Sequence, residues 1–334
     1  MQKINGFTVF YLLICLMFFS NFLSAQTGVS YISAYGYDSC IELKNKTTTV
    51  ILEPNAGGRV ISYSLNGINI MYEDSLQNRW VSTPQMPRIN GHLAGGRFDI
   101  GPSRTKPNTD LFFFGKWNFS TTGRFSARLT SQTDTFTEIY LIRDFVLDSI
   151  TSRLSVTQTI VNTSSKSIKA SFWGRTFVVG NGICVIPVNP MNRFPKKYIM
   201  FMNRDTINMF PSDTNIFVKD DLLIIKGPPQ KPKLEMDVDD PGWMAYASTT
   251  NQLFIKKFNV FHDRQYGDVT AANASVWYNG TQMTEIEPIG PWELIGPGNR
   301  KSFTENWYLI KFIFPETRHI DTDSFKKLIK VLTK

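Results

Sequence analysis

Beyond its first 25 residues the chain consists of short β-type runs cut off by Gly, Asn, Asp or Pro, with no long helical period between them. Val60-Ile61-Ser62-Tyr63-Ser64-Leu65 alternates and then meets Asn66-Gly67, the strongest short signal for a hairpin. Residues 153–161 alternate in the same way, Asn162-Thr163-Ser164-Ser165 turns the chain, and residues 168–176 return. Strands joined by such turns predict an all-β, two-sheet antiparallel sandwich rather than a βαβ sheet. The tail differs. Residues 324–332 place apolar side chains at helical spacing behind Asp323 and Ser324, which predicts one short C-terminal helix. No internal repeat and no sharp linker divides residues 26–334, which read as a single domain.

With 334 residues and 42% hydrophobic content, the chain can bury a sizeable core, which excludes disorder. Lys3, an apolar run over residues 7–23 and Leu23-Ser24-Ala25 before Gln26 read as a signal peptide over residues 1–25. Export to the periplasm or cell surface follows, with membrane anchoring if that segment is not cleaved. Cys40 and Cys184 remain after cleavage, and one disulfide or two buried thiols both fit. The net charge of +8 is scattered rather than gathered into an aromatic-laced stripe, so nucleic acid is not an expected partner. Nothing in the sequence has zinc-ligand spacing, a complete calcium loop or a Gly-x-Ser-x-Gly elbow. No metal or cofactor is expected.

Three stretches resemble the galactose-mutarotase-like (aldose-epimerase-like) β-sandwich superfamily. Around Glu53-Pro54-Asn55-Ala56-Gly57-Gly58-Arg59 a strand, a turn and a strand look like the family's opening segment. Residues 154–173 look like its middle hairpin. Residues 285–308, with Gly290-Pro291, Gly296-Pro297-Gly298 and Glu305-Asn306-Trp307, look like its closing strands. The nearest texture is that of exported bacterial members without an assigned function. The resemblance implies a two-sheet supersandwich and a carbohydrate partner. In the family's epimerases a glutamate acts as base and histidines act as acid and binding partner.

Those roles suggest where to look. Glu285 and Glu287 stand two apart and so share one strand face, and Glu287, beside the Gly290-Pro291 turn, is the preferred base. The resemblance makes His92 and Asp99, in Asn90-Gly91-His92-Leu93-Ala94-Gly95-Gly96-Arg97-Phe98-Asp99, counterparts of the family's Asn-His-Gly-Gly-Phe-Asp phrase. His262, in Phe261-His262-Asp263-Arg264, is the other candidate acid. Arg175 occupies the strand region where the family carries a second histidine, a departure that counts against simple mutarotase activity. Arg97 and Arg104 lie in the Pro/Gly-rich residues 78–116, read as a long functional loop, and a guanidinium fork suits sugar hydroxyls or a uronate. Arg59 reads as structural. Trp243 and Trp292 read as loop tryptophans able to line a groove, Trp277 and Trp307 as core.

The expectation is therefore an exported carbohydrate-binding protein. Two alternatives stand beside it. One is an epimerase, lyase or hydrolase using a Glu/His pair, and the other is an envelope structural protein without a working site. Neither the oligomeric state nor the sugar is legible.

Overall fold

The computed structural model describes residues 27–89, 93–102, 110–204, 206–267 and 269–332. The expected signal segment, His92 and Arg104 lie outside them. The described residues form two antiparallel sheets and a C-terminal helix, as the sequence predicts.

The first sheet has 13 strands. It starts with Gly28–Ala34, Tyr37–Lys44, Thr48–Glu53 and Arg59–Leu65. Its middle is Gly96–Gly101, Ile168–Val179, Met283–Pro288, Ala274–Asn279 and Lys233–Met236, in that spatial order. The second sheet has ten strands, with Gly242–Ser248, Gln252–Phe258, Arg300–Lys311, Leu154–Asn162 and Ile139–Leu147 adjacent at its centre. The hairpin at Asn66-Gly67 forms with φ of 50° and 82°, the left-handed pair that a two-residue hairpin turn requires. The residues read as one long loop, 78–116, contain the central Gly96–Gly101 strand and a short helix, Asp110–Phe114. In this strand Phe98 and Ile100 enter the core while Arg97 and Asp99 face outward yet are also buried, so its polar positions read as loop in a Pro/Gly-rich stretch.

Between the sheets lies the main core, with Phe98, Phe172, Val276 and Ile286 from the first sheet and Phe145, Val156, Phe254 and Phe303 from the second. A second apolar cluster covers the outer face of the second sheet, where the Thr322–Leu332 helix lays Phe325 and Ile329 against Trp243 and Ile255. Cys40 and Cys184 are both buried free thiols, and burial pushes each up to about 12.

The core also holds charge. Lys256 Nζ sits 2.9 Å from Glu305 Oε2, and both side chains are fully buried. Lys256 reaches across to the first sheet and donates to Gly174 O at 2.6 Å, Thr176 Oγ1 at 3.0 Å and Ile286 O at 3.3 Å. Glu305 accepts from Gln158 Nε2 and Trp307 Nε1, each at 2.8 Å. Arg143 donates to Gly58 O at 2.7 Å and Gly96 O at 3.0 Å. Burial pushes the Lys256 ammonium down from its ordinary range, while Glu305 pushes it back up. Gly174 is the residue that lets the acid in, since a Cβ there would fall 1.6 Å from Glu305 Oε1. Arg59 is structural as expected: it pairs with Glu53 at 3.1 Å and donates to Ala56 O and Ala94 O, each at 2.9 Å.

Breaking this brace should be expensive. Lys256→Met strands the Glu305 carboxylate, an expected loss of about 3–5 kcal/mol. Gly174→Ala overpacks the same spot, an expected loss of about 1–3 kcal/mol. Urea unfolding of both variants checks this, and midpoints equal to wild type would contradict the assigned contacts.

Candidate functional site

Five adjacent strands of the first sheet alternate so that the inward residues are mostly apolar and the outward ones are mostly charged or aromatic. Outward-facing positions are Arg97 and Asp99; Trp173, Arg175 and Phe177; Glu285 and Glu287; Ser275 and Trp277; and Lys233 and Glu235. Register aligns them across the sheet. Arg175 stands opposite Arg97, Trp173 opposite Asp99, and Glu285 opposite both Phe177 and Trp277. Glu287 pairs with Ser275, and Ser275 with Glu235.

Arg175 is the hub. Its Nε and Nη2 donate to Glu285 Oε1 and Oε2 at 2.6 and 2.9 Å, a bidentate fork. The same guanidinium lies 3.5 Å from Glu287 Oε2 and 3.6 Å from Asp99 Oδ2. Its side chain keeps 18% exposure, while those of Glu285 and Glu287 are at 1% and 2%, so the arginine caps the acids. Burial alone would lower Arg175, but its three carboxyl neighbours hold it above the ordinary arginine range. Arg97 is fully buried, its guanidinium 5.1 Å from the Phe113 ring centre and 5.3 Å from that of Phe177, and burial together with nearby Arg175 lowers it to about 10.

Glu287 is raised to about 8, first by burial and then by Glu285, with Arg175 and Lys233 opposing and Glu235 adding to the rise. Its Oε1 accepts from Ser275 Oγ at 3.3 Å. Burial likewise raises Asp99, against the pull of Arg175 and Arg97. Charge balance adds to the effect of burial. Among the described residues, Asp99, Glu235, Glu285 and Glu287 are four carboxyls around the three cations Arg97, Arg175 and Lys233. One proton on Glu287 makes the cluster neutral, and it equips that carboxyl both to donate and to accept a hydrogen bond at neutral pH.

Aromatic rings flank the charges. Trp277 packs edge-on against Phe177, with centroids 6.4 Å apart, and is half-buried on this outer face rather than in the core as expected. Lys233 Nζ lies 2.9 Å from Glu235 Oε1 and over the Trp173 ring at 5.0 Å. Thr270 Oγ1 donates to Glu235 Oε2, which ties Thr270 to this face.

The other sequence candidates fall elsewhere. His262 is exposed and lines a groove of about 460 Å³ with Arg264, Tyr266, Asn273 and Trp292. None of the described hydrogen bonds or ion pairs joins it to Glu285 or Glu287. Trp243 is in the Gly242–Ser248 strand, not a loop, and packs on Phe325 beneath the C-terminal helix, its ring centre 6.2 Å away. It stands on the outer face of the opposite sheet. Reasoning from the sequence brought Glu285, Glu287, Arg97, Asp99 and Arg175 to one place and missed Lys233, Glu235, Trp173 and Trp277. The alternation Lys233-Leu234-Glu235-Met236 was the available signal, too short between Pro232 and Asp237 to stand out.

The raised Glu287 carboxyl has a consequence for stability. A group whose acid form persists to about 8 in the fold but titrates near 4.5 when unfolded binds more protons in the native state between those values. Stability therefore falls as pH rises through that window. Thermal unfolding at pH 5, 6.5 and 8 should show Glu287→Gln gaining on wild type at each step. A constant difference across the three would mean that Glu287 is ionised throughout.

No protein-family model matches the chain, and no curated protein is detectably similar in sequence. Solved structures do match. A protein from Synechocystis sp. PCC 6803 aligns over 86% of this chain and 100% of its own, at 14% identity and a TM-score of 0.55. A galactose mutarotase-like protein from Clostridium acetobutylicum aligns over 85% and 98%, at 12% identity and 0.53. Another, from Lactobacillus casei, aligns over 81% and 100%, at 12% and 0.51. Identities this low speak for the fold alone, and that fold is the galactose-mutarotase-like β-sandwich.

Proposed function

We propose that this chain is an exported carbohydrate-binding protein whose binding face is the outer surface around Arg175 and Glu287. The observation that carries the reading is the Arg175 hub itself: one guanidinium and three carboxyls, one of them the protonatable Glu287, flanked by Trp173 and Trp277. Sugar hydroxyls both donate and accept, so they suit a site that offers charged donors, carboxylate acceptors and one neutral carboxyl together. A half-buried indole supplies an apolar surface for the C–H face of a pyranose. The fold supports the same direction, since proteins described as galactose mutarotase-like share it. Export rests on the N-terminal segment read as a signal peptide. Among the described residues no helix is long and apolar enough to cross a membrane.

One observation favours a second reading, catalysis. A carboxyl raised to about 8 is matched to proton transfer near neutral pH, with Glu287 as the acid–base group. Glu285, held in a fork by Arg175, is the poorer base.

Calorimetric titration of the chain from Gln26 with a panel of neutral and acidic monosaccharides tests both readings. Binding should weaken about tenfold, or about 1.4 kcal/mol, in Trp277→Ala. NMR of the bound sugar's anomeric and ring protons separates the two: conversion by wild type that is lost in Glu287→Gln marks an enzyme, and unchanged sugar marks a binder. If no sugar binds, the proposal fails and the structural alternative takes its place.

A further inference from the structure

Resting on that reading, we infer that the groove beside the cluster is a second sugar subsite, so that the ligand is a glycan at least two units long. The strands of the cluster run into this groove. Asp237 follows Glu235 by two residues, Asn273 precedes Ser275 by two, and both line the groove. Two residues of strand span roughly 6–7 Å, about one sugar ring. The third strand passes from Glu287 through Ile289, which bridges to Trp173, and on to Trp292 in the groove wall.

The wall is a built structure. Trp292 N donates to Gln265 O at 2.7 Å, Tyr266 bridges to Pro291, and Phe261 N donates to Tyr266 Oη at 2.9 Å. Gly267 packs so closely that a Cβ on it would come within 3.1 Å of both Ser171 Oγ and the Trp292 ring. Ser171 is two residues before Trp173, so the 261–267 segment joins the cluster's own face of the sheet.

The chemistry of the lining selects the ligand. Arg193 forks onto Asp237 at 2.8 and 3.0 Å, and Arg264 pairs with Glu293 at 2.7 Å. Both guanidiniums are paired in place, and Lys169 Nζ lies 5.0 Å over the Trp292 ring, so the groove offers hydrogen-bonding edges beside an aromatic face. Phe261, Tyr266 and Trp292 give it an aromatic wall, and its volume of about 460 Å³ is that of a small-ligand site.

The test is calorimetric titration of the chain from Gln26 with three neutral series of one to four units: β-1,4-glucose, α-1,4-glucose and β-1,4-galactose oligomers. In the series that binds, affinity should rise about tenfold or more from one unit to two. Trp292→Ala and the surface change Gln265→Ala should each cut that gain at least threefold, with thermal melts confirming that both variants fold. Equal affinity for one and two units overturns the second subsite and leaves the first standing. A length gain that neither variant reduces overturns the assignment to this groove. If none of the three series binds at any length, the subsite and the reading beneath it fall together.

Discussion

The contact on which the rest of the structure depends is the buried pair Lys256–Glu305. It lies between the two sheets, where burial of a lone charge would be ruinous, and it is tolerated because every polar atom finds a partner. The ammonium reaches acceptors on Ile168–Val179 and Met283–Pro288, the two strands that carry Arg175, Glu285 and Glu287 on their other face. The core-side ion pair and the outward cluster are thus two sides of the same peptides. Gly174, with no side chain, admits Glu305 from within, while Arg175, its neighbour, points out to gather the acids. A sandwich could be closed by apolar residues alone. This one fixes the register of its central strands with hydrogen bonds instead, and register decides which side chains meet outside.

On the outer face the balance of charge governs the chemistry. Arg175 satisfies Glu285 fully, leaving Glu287 close to positive charge but without a bond of its own from the guanidinium. Burial, Glu285 and Glu235 then push the Glu287 carboxyl up toward neutrality. A site arranged this way has a carboxyl whose proton state responds to what docks on it. The guanidiniums of the adjacent groove, Arg193 and Arg264, are each paired with a carboxylate.

Much of this was legible in the sequence. Alternation, the Asn66-Gly67 hairpin and the closing Gly-Pro turns pointed to the sandwich, and the helical spacing of residues 324–332 pointed to the terminal helix. The two-residue step placed Glu285 and Glu287 on one face, and the resemblance singled out the neighbourhoods of Arg97, Asp99 and Arg175. What stayed hidden was hidden for physical reasons. Arg97 and Asp99 read as loop polarity because polar strand positions usually meet water, whereas here Asp99 meets Arg175 and Arg97 lies against the Phe113 and Phe177 rings. Lys256 carries no signal of its own in the sequence, and only the partner on a strand 49 residues later reveals that it faces in. Trp243 looked exposed after Pro241-Gly242, but the terminal helix folds back over it. Each failure concerns a contact made by distant segments, which local patterning does not encode.

The most direct measurement is a crystal structure of the chain from Gln26 with its tightest-binding saccharide. The expected result is a sugar on the outer face of the first sheet, with hydroxyls in hydrogen-bond reach of Arg175 and Glu287 and a ring face toward Trp277. A sugar seated anywhere else, with the Arg175 hub closed and unchanged beneath its own side chains, would contradict the assignment and make the cluster a structural brace.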